Sequence, residues 1–196
     1  MRLFEKDLVA CLDAWHARGL IEQVNGDPIH VKNNGMICVH FRYADRPTMS
    51  CLTKAGNALE ALTYHTIRGM NIFDDVKLGV SIQWDAQDVV GKDTRNEIDV
   101  ICTRGMKSYF ISCKQTTNLT NDYLTEIAYE TDRFGLEGTP ILVTTATQNA
   151  NPAQYARAER MGVRVITLTR DPFRGSELAD GAKELEDQLC AIIENS

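Results

Sequence analysis

The chain has 196 residues, of which 43% are hydrophobic and 24% are charged, the balance of an ordinary globular protein. This composition excludes a disordered tail, a collagen-like fibre and a coiled coil, and no apolar run approaches the roughly 18 residues that cross a bilayer. The net charge is −6, but residues 171–196 contribute seven acidic and two basic residues. Residues 1–170 are therefore close to neutral, and a basic groove that binds nucleic acid is not excluded.

Cysteine usage and the N-terminus indicate a cytoplasmic protein with reduced thiols. Residues 1–15 carry acidic side chains among apolar ones, so they lack the continuous apolar core of a signal peptide. The six cysteines include no C-x-x-C pair and are Cys11, Cys38, Cys51, Cys102, Cys113 and Cys190. They could form three disulfides in a secreted protein, but a chain of this length builds a sufficient core without them.

Residues 1–46 predict a helix followed by a β-hairpin. Apolar residues at helical spacing run to Trp15, and Gly19 follows as a stop signal. Two alternating runs flank Asn33-Asn34-Gly35, and Asn-Gly is the strongest short hairpin signal because its turn needs positive φ. Such a connector is either part of a winged-helix module or packing material, and we favour packing.

Residues 47–196 predict a second, α/β domain with a mixed sheet flanked by helices. The predicted elements are a helix over 47–69, strands over 76–84, 97–102 and 108–114, a helix over 124–134, a strand over 140–145, a helix from 152, a strand over 163–168 and a helix over 178–192. Three consecutive strands give an α-β-β-β-α-β unit, and an α-β-α extension follows it. This order indicates a mixed sheet with helices on both faces.

Asp99, Ser112 and Lys114 form the strongest chemical signal, on the second and third strands of that unit. Side chains alternate along a strand, so Ser112 and Lys114 face the same side. If Gly105-Met106 is a two-residue turn, Asp99 lies directly opposite Ser112. A lysine among apolar strand residues is costly to bury unless it is paired or functional. The three side chains are therefore expected to share one patch.

Glu60 is a second candidate acid, on the helix that precedes these strands. It lies at the edge of the apolar stripe of that helix, and Gly56 one turn away is expected to leave space beside it. A carboxylate at the border of a buried helix face can extend over a neighbouring sheet. We therefore expect Glu60 to approach the patch around Asp99.

This arrangement resembles the PD-(D/E)xK, or restriction-endonuclease-like, nuclease superfamily. Within it, residues 1–146 are most similar to the connector and nuclease domain of CARF-fused CRISPR ancillary nucleases. The matching segments are 55–60, 96–100, 110–114 and 133–135. The resemblance implies a restriction-endonuclease-like fold, a homodimer and a defence nuclease with little sequence specificity that cuts DNA, RNA or both. The sequence departs from it at Ser112, where an acid is usual, and has no room for an N-terminal sensor, so a regulatory domain or activator is expected elsewhere.

The resemblance also implies a role for each residue of the patch in metal-assisted phosphodiester hydrolysis. Asp99 and the main-chain carbonyl of Cys113 are expected to bind Mg²⁺ or Mn²⁺, since these ions take oxygen ligands and keep several waters. Glu60 would bind the cation directly or through water, and the Ser112 hydroxyl would be a weak substitute ligand. Lys114 would orient the attacking water or offset charge in the transition state.

Substrate contacts are expected mainly at phosphates, which position a strand without reading its sequence. The candidate contacts are Lys92, Arg95, Arg104, Lys107 and Gln115. An ordinary solvated surface explains the four cationic residues equally well. Gln115 points to the opposite face of a regular strand from Lys114, which weakens its assignment.

Simpler interpretations exist for several of these residues. Asp99 and Lys114 could be a structural ion pair, Cys113 is expected to be a small core residue, and Glu126 and Glu130 are expected to be solvated. The four histidines have no metal-like spacing, and no nucleotide-binding glycine motif is present. Beside the nuclease, one alternative function therefore stays open: a catalytically inactive nucleic-acid-binding or scaffolding domain that retains the nuclease fold.

Overall fold

A computed structural model of the protein describes most of the chain and divides it into two compact units, residues 1–54 and residues 55–196. The sequence analysis places this boundary eight residues earlier, between residues 46 and 47. The described residues are 9, 12–13, 15–17, 19–22, 29–31, 37–54, 56–82, 96–134, 137–169 and 178–195.

The first unit contains the predicted helix and hairpin. The described residues between 9 and 17 are helical, and the chain leaves the helix through Gly19, whose φ is 68°. β2 (Ile29–Val31) pairs antiparallel with β3 (Ile37–Val39), which confirms the hairpin. Its Asn33-Asn34-Gly35 turn lies outside the described residues. The remaining elements of this unit are β1 (Ile21–Glu22), β4 (Arg42–Tyr43) and α1 (Arg46–Thr53).

The second unit is built on one mixed sheet, as the element order predicts. Its elements are α2 (Asn57–Gly69), β5 (Asp75–Ile82), β6 (Asn96–Arg104), β7 (Lys107–Lys114), α3 (Asn121–Phe134), β8 (Gly138–Thr144), α4 (Pro152–Arg160), β9 (Arg164–Thr167) and α5 (Leu178–Glu194). The strand order is β5-β6-β7-β8-β9. The first three strands are antiparallel, whereas β8 and β9 run parallel to β7. This is the α/β class that the sequence indicates.

One predicted helix is two helices. The sequence predicts a continuous helix over 47–69, but α1 ends at Thr53 and α2 begins at Asn57. Lys54 is extended and Gly56 has a φ of 96°, a value that other residues rarely adopt. The periodicity of apolar residues continues through this break, so the pattern alone does not reveal it.

Helices cover both faces of the sheet and enclose two cores. On one face α2 and α5 pack against alternate strand residues, including Val100, Ile111 and Cys113. On the other face α3 and α4 pack against the intervening residues, including Ile98 and Phe110. The side chains of β6 and β7 are therefore divided between the two cores. A polar side chain that enters either core needs a hydrogen-bond partner or a function.

Asn151 directly precedes α4 but does not cap that helix with its side chain. Its side chain is buried and accepts a hydrogen bond from the Leu119 N–H at 2.9 Å. Its amide group donates to the carbonyls of Thr117 and Thr147, each at 3.0 Å. The residue joins three segments near the C-terminal ends of β7 and β8.

The described part of the chain includes no helix long and apolar enough to cross a membrane. Five of the six cysteines fall within it, and all five are free thiols. Cys11 lies outside the described residues.

Candidate active site

The β6–β7 hairpin brings Asp99 and Ser112 together, as the sequence predicts. Arg104 pairs with Lys107, so Gly105-Met106 is a two-residue connection, and the pairing continues to Val100 opposite Ile111. The next step of this register places Asp99 beside Ser112. The Ser112 hydroxyl donates to Asp99 Oδ2 at 3.3 Å. The local hairpin is therefore sufficient to create the predicted contact.

A local irregularity in β6 directs the Asp99 carboxylate toward the end of β7. Ile98 packs in the core beneath α3, whereas Val100 packs in the core beneath α2, so the usual alternation changes at Asp99. Across from it, Gly79 has a φ of 61° between two regularly paired positions of β5. Asp99 Oδ2 accepts the Cys113 N–H at 2.6 Å. The Asp99 side chain thus contacts the Cys113 backbone just beyond the last paired residues of β6 and β7.

The Asp99 carboxylate is largely desolvated but has three groups that favour its charge. Burial raises its pKa, while the Cys113 N–H, the Lys114 ammonium and the Ser112 hydroxyl act in the opposite direction and Glu97 adds a small increase. The hydrogen bonds to Oδ2 fix the orientation of the carboxylate without neutralising its charge. It is suited to accept a further cation.

α3 positions Lys114 from the side. Lys114 Nζ lies 3.8 Å from Glu126 Oε2 and 5.3 Å from the centre of the Tyr123 ring. The side chain is 27% exposed, and its carbonyl accepts a hydrogen bond from the Thr144 hydroxyl at 2.9 Å. Lys114 therefore has a fixed backbone and two neighbours on α3, besides the electrostatic interaction with Asp99. The sequence analysis missed both helical neighbours.

Glu60 reaches the site from the opposite layer. Cys113 points toward α2, where its Sγ lies 3.5 Å from the Thr63 hydroxyl. Burial raises the pKa of the Cys113 thiol strongly, and the carboxylates of Asp99 and Glu60 raise it further. Cys113 is thus the expected inert core residue, with an acid on either side. A Cβ at Gly56 would lie 3.5 Å from Glu60 Oε1, an ordinary contact, so Gly56 is required for its backbone conformation and not for space.

Glu130 is buried, contrary to the expectation that it is solvated. It lies on α3 and is 5% exposed, whereas Glu126 one turn earlier is exposed. Burial raises the pKa of Glu130 to about 7, and the charges of Glu126 and Asp99 raise it while Lys114 lowers it. The i,i+4 spacing of the two glutamates indicated only mutual repulsion. Packing of α3 on β7 and β8 buries the second one.

We expect Glu130→Gln to stabilise the metal-free protein at pH 8 more than at pH 5. Between pH 4.5 and about pH 7 the Glu130 carboxyl keeps its proton in the folded state and loses it in the unfolded state. The free energy of unfolding therefore falls as pH rises through this range. The shift corresponds to at most about 3 kcal/mol. We expect about 1–2 kcal/mol because the neighbouring Lys114 and Glu126 are partly solvated. Urea unfolding in EDTA at both pH values measures the difference.

The matched control for this prediction is Asp132→Asn, an exposed carboxylate on the same helix. It should change the free energy of unfolding by less than about 0.5 kcal/mol at either pH. Equal effects of Glu130→Gln at pH 5 and pH 8 would show that the Glu130 carboxylate is not destabilised by burial.

The oxygen donors of the site suit a hard divalent cation. In the described ranges, no three His, Cys, Asp or Glu side chains are close enough to hold a metal ion. Asp99 offers one desolvated carboxylate, and the Cys113 carbonyl points to the same side as its N–H, because both groups of a strand residue face one neighbour. Mg²⁺ and Mn²⁺ need only one or two carboxylates because they retain waters. The donor set is compatible with such an ion.

The structure does not bring the expected cationic rim to the site. Arg104 and Lys107 flank the hairpin turn, whereas Lys114 ends the same strand. At about 3.3 Å per residue, the five residues from Asp99 to Arg104, and from Ser112 to Lys107, span about 17 Å. Both turn residues are therefore too remote to contact a phosphate held at Asp99, and their contact with other phosphates stays a prediction. Lys92 and Arg95 lie outside the described residues. Gln115 is exposed next to Lys114.

Comparison with protein families gives one match. Residues 50–185, more than half of the chain, match a family described as the endonuclease domain of Card1-like proteins. The match includes Glu60, Asp99, Ser112 and Lys114. No curated protein sequence matches the chain.

Two solved structures share the fold. The chain is 20% identical to the protein VC1899 from Vibrio cholerae, with a TM-score of 0.63 over 95% of this chain and 42% of that one. It is 18% identical to Can2 from Sulfobacillus thermosulfidooxidans, solved with cyclic tetra-adenylate, with a TM-score of 0.55 over 92% of this chain and 44% of that one. The chain spans less than half the length of either protein.

Proposed function

Because the chain belongs to the family of Card1-like endonuclease domains, we propose that it is a metal-dependent nuclease. Its substrates are DNA, RNA or both, cut with little sequence specificity in a CRISPR-associated or other defence role. The observation that supports this most directly is the cluster formed by Asp99, Ser112, the Cys113 backbone and Lys114. It combines the desolvated Asp99 carboxylate with the Lys114 ammonium at the end of β7.

The residues of the cluster have separate tasks in phosphodiester hydrolysis. Asp99 and the Cys113 carbonyl would hold Mg²⁺ or Mn²⁺, and Glu60 would act from α2 directly or through water. When bound, the cation supplies Lewis-acid polarisation of the scissile phosphate. Lys114 offsets negative charge as it develops on the phosphate, from a position fixed by Glu126 and Tyr123. Ser112 orients Asp99 through its hydrogen bond.

The test is cleavage of nucleic acid by the purified chain with and without a divalent cation. Single-stranded DNA, plasmid DNA and single-stranded RNA are incubated with Mn²⁺ or Mg²⁺, and parallel samples contain excess EDTA. We expect cleavage of at least one substrate with metal and none with EDTA. Cleavage that persists in EDTA would contradict the metal-dependent mechanism.

A second function is favoured by one observation, the hydroxyl of Ser112 beside Asp99 where a further carboxylate would strengthen metal binding. In that case the chain is an inactive nucleic-acid-binding or scaffolding domain. It would then bind nucleic acid without cutting it under any divalent metal tested.

Control of the nuclease is proposed to come from outside the described units. Can2 is solved with cyclic tetra-adenylate and is more than twice as long as this chain, so a sensor domain or separate activator is expected to regulate cleavage. A homodimer is also proposed, as the resemblance to CARF-fused nucleases implies. Sedimentation of the purified chain tests the homodimer, and the rate of cleavage by the chain alone, with metal but without any activator, tests whether it needs one.

A further inference from the structure

Glu130 is a buried carboxylate to which the mechanism so far gives no task. It is 5% exposed, and the interactions of its carboxylate among the described residues are electrostatic ones with Glu126, Asp99 and Lys114, with no hydrogen bond. An ionised carboxylate without a partner is costly to bury. Buried polar groups of this kind require an explanation, often an ion that the group binds.

Negative charges outnumber positive ones around Glu130. Asp99 approaches from β6 and Glu126 from the preceding turn of α3, while Lys114 is the cation that acts on all three carboxylates. Three carboxylates facing one ammonium leave a local charge of about −2 when all are ionised. A divalent cation would neutralise this charge.

The position of Glu130 on α3 directs it toward the metal-binding side of the sheet. Glu130 follows Glu126 by four residues and Tyr123 by seven, so the three side chains form one stripe along the helix. Tyr123 and Glu126 contact Lys114. The stripe therefore faces the layer that contains Ser112 and Lys114, where Asp99 also turns.

β7 itself supplies no second carboxylate on that side. Ser112 is buried, carries no charge, and uses its hydroxyl to donate to Asp99. Glu60 approaches from the α2 layer across Cys113. Glu97 on β6 also acts on Asp99 but is exposed, whereas Glu130 on α3 is buried. Glu130 is therefore the better candidate for a second carboxylate on the α3 side.

We propose that Glu130 and Asp99 together bind the divalent cation, and that Glu130 supplies from α3 the carboxylate that Ser112 does not supply from β7. The inference rests on the proposed function, since it assumes that the site binds Mg²⁺ or Mn²⁺. Two carboxylates, a backbone carbonyl and waters form a sufficient ligand set for either ion.

The test is Mn²⁺ binding by the full chain at pH 8, measured by isothermal titration calorimetry without nucleic acid. We expect Glu130→Gln to raise the Kd for Mn²⁺ at least about tenfold, because one charged ligand is lost. Asp132→Asn, which removes an exposed charge from the same helix, should change Kd less than about twofold. Circular dichroism confirms that each variant is folded.

A rescue variant distinguishes a ligand from a general charge effect. In the double variant Ser112→Glu/Glu130→Gln the carboxylate moves from α3 to β7, and the net charge equals that of the wild type. We expect its Kd for Mn²⁺ to return to within about threefold of the wild-type value. A double variant as weak as Glu130→Gln would show that the two positions do not serve one ion.

The outcomes separate this inference from the proposed function. If Glu130→Gln binds Mn²⁺ as tightly as the wild type while Asp99→Asn does not, the site binds metal without Glu130 and the inference is wrong. If the wild type itself binds no Mn²⁺ at millimolar concentration, the proposed metal-dependent function fails first. If only Glu130→Gln and Asp99→Asn lose affinity, both statements are supported.

Discussion

Asp99→Asn is expected to abolish cleavage of nucleic acid while the protein stays folded. Asparagine keeps an oxygen that can accept the Cys113 N–H and the Ser112 hydroxyl, but it loses the negative charge that is proposed to hold the cation. We expect the initial rate of cleavage with Mn²⁺ to fall by about 10³-fold or more. The rate is measured on the best substrate found for the wild type.

The matched control is Asp75→Asn, which removes an exposed carboxylate from β5 of the same sheet. Its rate should stay within about twofold of the wild type, since Asp75 pairs only at the surface with Lys77. A rate for Asp99→Asn within tenfold of the wild type would exclude Asp99 as the main metal ligand.

Lys114→Met is the second variant with a large expected effect. Methionine keeps much of the apolar stem but removes the ammonium from Asp99, Glu126 and the substrate phosphate. We expect kcat to fall by about 10²–10³-fold, the size expected for loss of one preorganised electrostatic group. Mn²⁺ binding should weaken far less than it does in Asp99→Asn, because Lys114 is not a ligand.

The pH dependence of the residual activity gives this variant a second measurement. The Lys114 ammonium lowers the pKa of Asp99, so its removal should raise that pKa and move the acidic limb of the pH–rate profile to higher pH. Lys77→Met, on the exposed edge strand, is the control and should leave the profile unchanged. An unshifted profile for Lys114→Met would show that the two groups do not interact in the active protein.

The part of the site that lies on one hairpin could be predicted from the sequence. A two-residue turn and side-chain alternation determine which residues of β6 and β7 are opposite one another, and both are local properties of the chain. The Asp99–Ser112 contact follows from them. The same reasoning could have placed Arg104 and Lys107 at the turn, five residues away from Asp99 and Ser112.

The contributions of the helices could not be predicted in the same way. Glu130 and Glu126 lie one turn apart on the same face of α3, yet one is buried and the other exposed, because the sheet covers Glu130 whereas Glu126 lies beside Lys114 at the end of β7. A stripe of Tyr123, Glu126 and Glu130 beside buried Leu124 and Ile127 was the available signal. It has meaning only once the strand beneath the helix is known.

The break between α1 and α2 has a similar cause. Apolar spacing is insensitive to the φ of one residue, so the positive φ of Gly56 does not interrupt the pattern. Asn151 is a different case. Its residue type commonly caps a helix at this position, but its side chain hydrogen-bonds Leu119 and Thr117 instead of α4.

The closeness of Asp99 and Ser112 in the chain has a consequence for folding. Only 13 residues separate them, so closing that loop costs little chain entropy, whereas Glu60 and Glu130 join them only after helices from both layers have docked. Polar contacts within the hairpin are therefore expected to form early, and the ability to bind an ion late. A partly folded population would keep the first and lack the second, so the proposed nuclease would stay inactive until both layers of helices have docked.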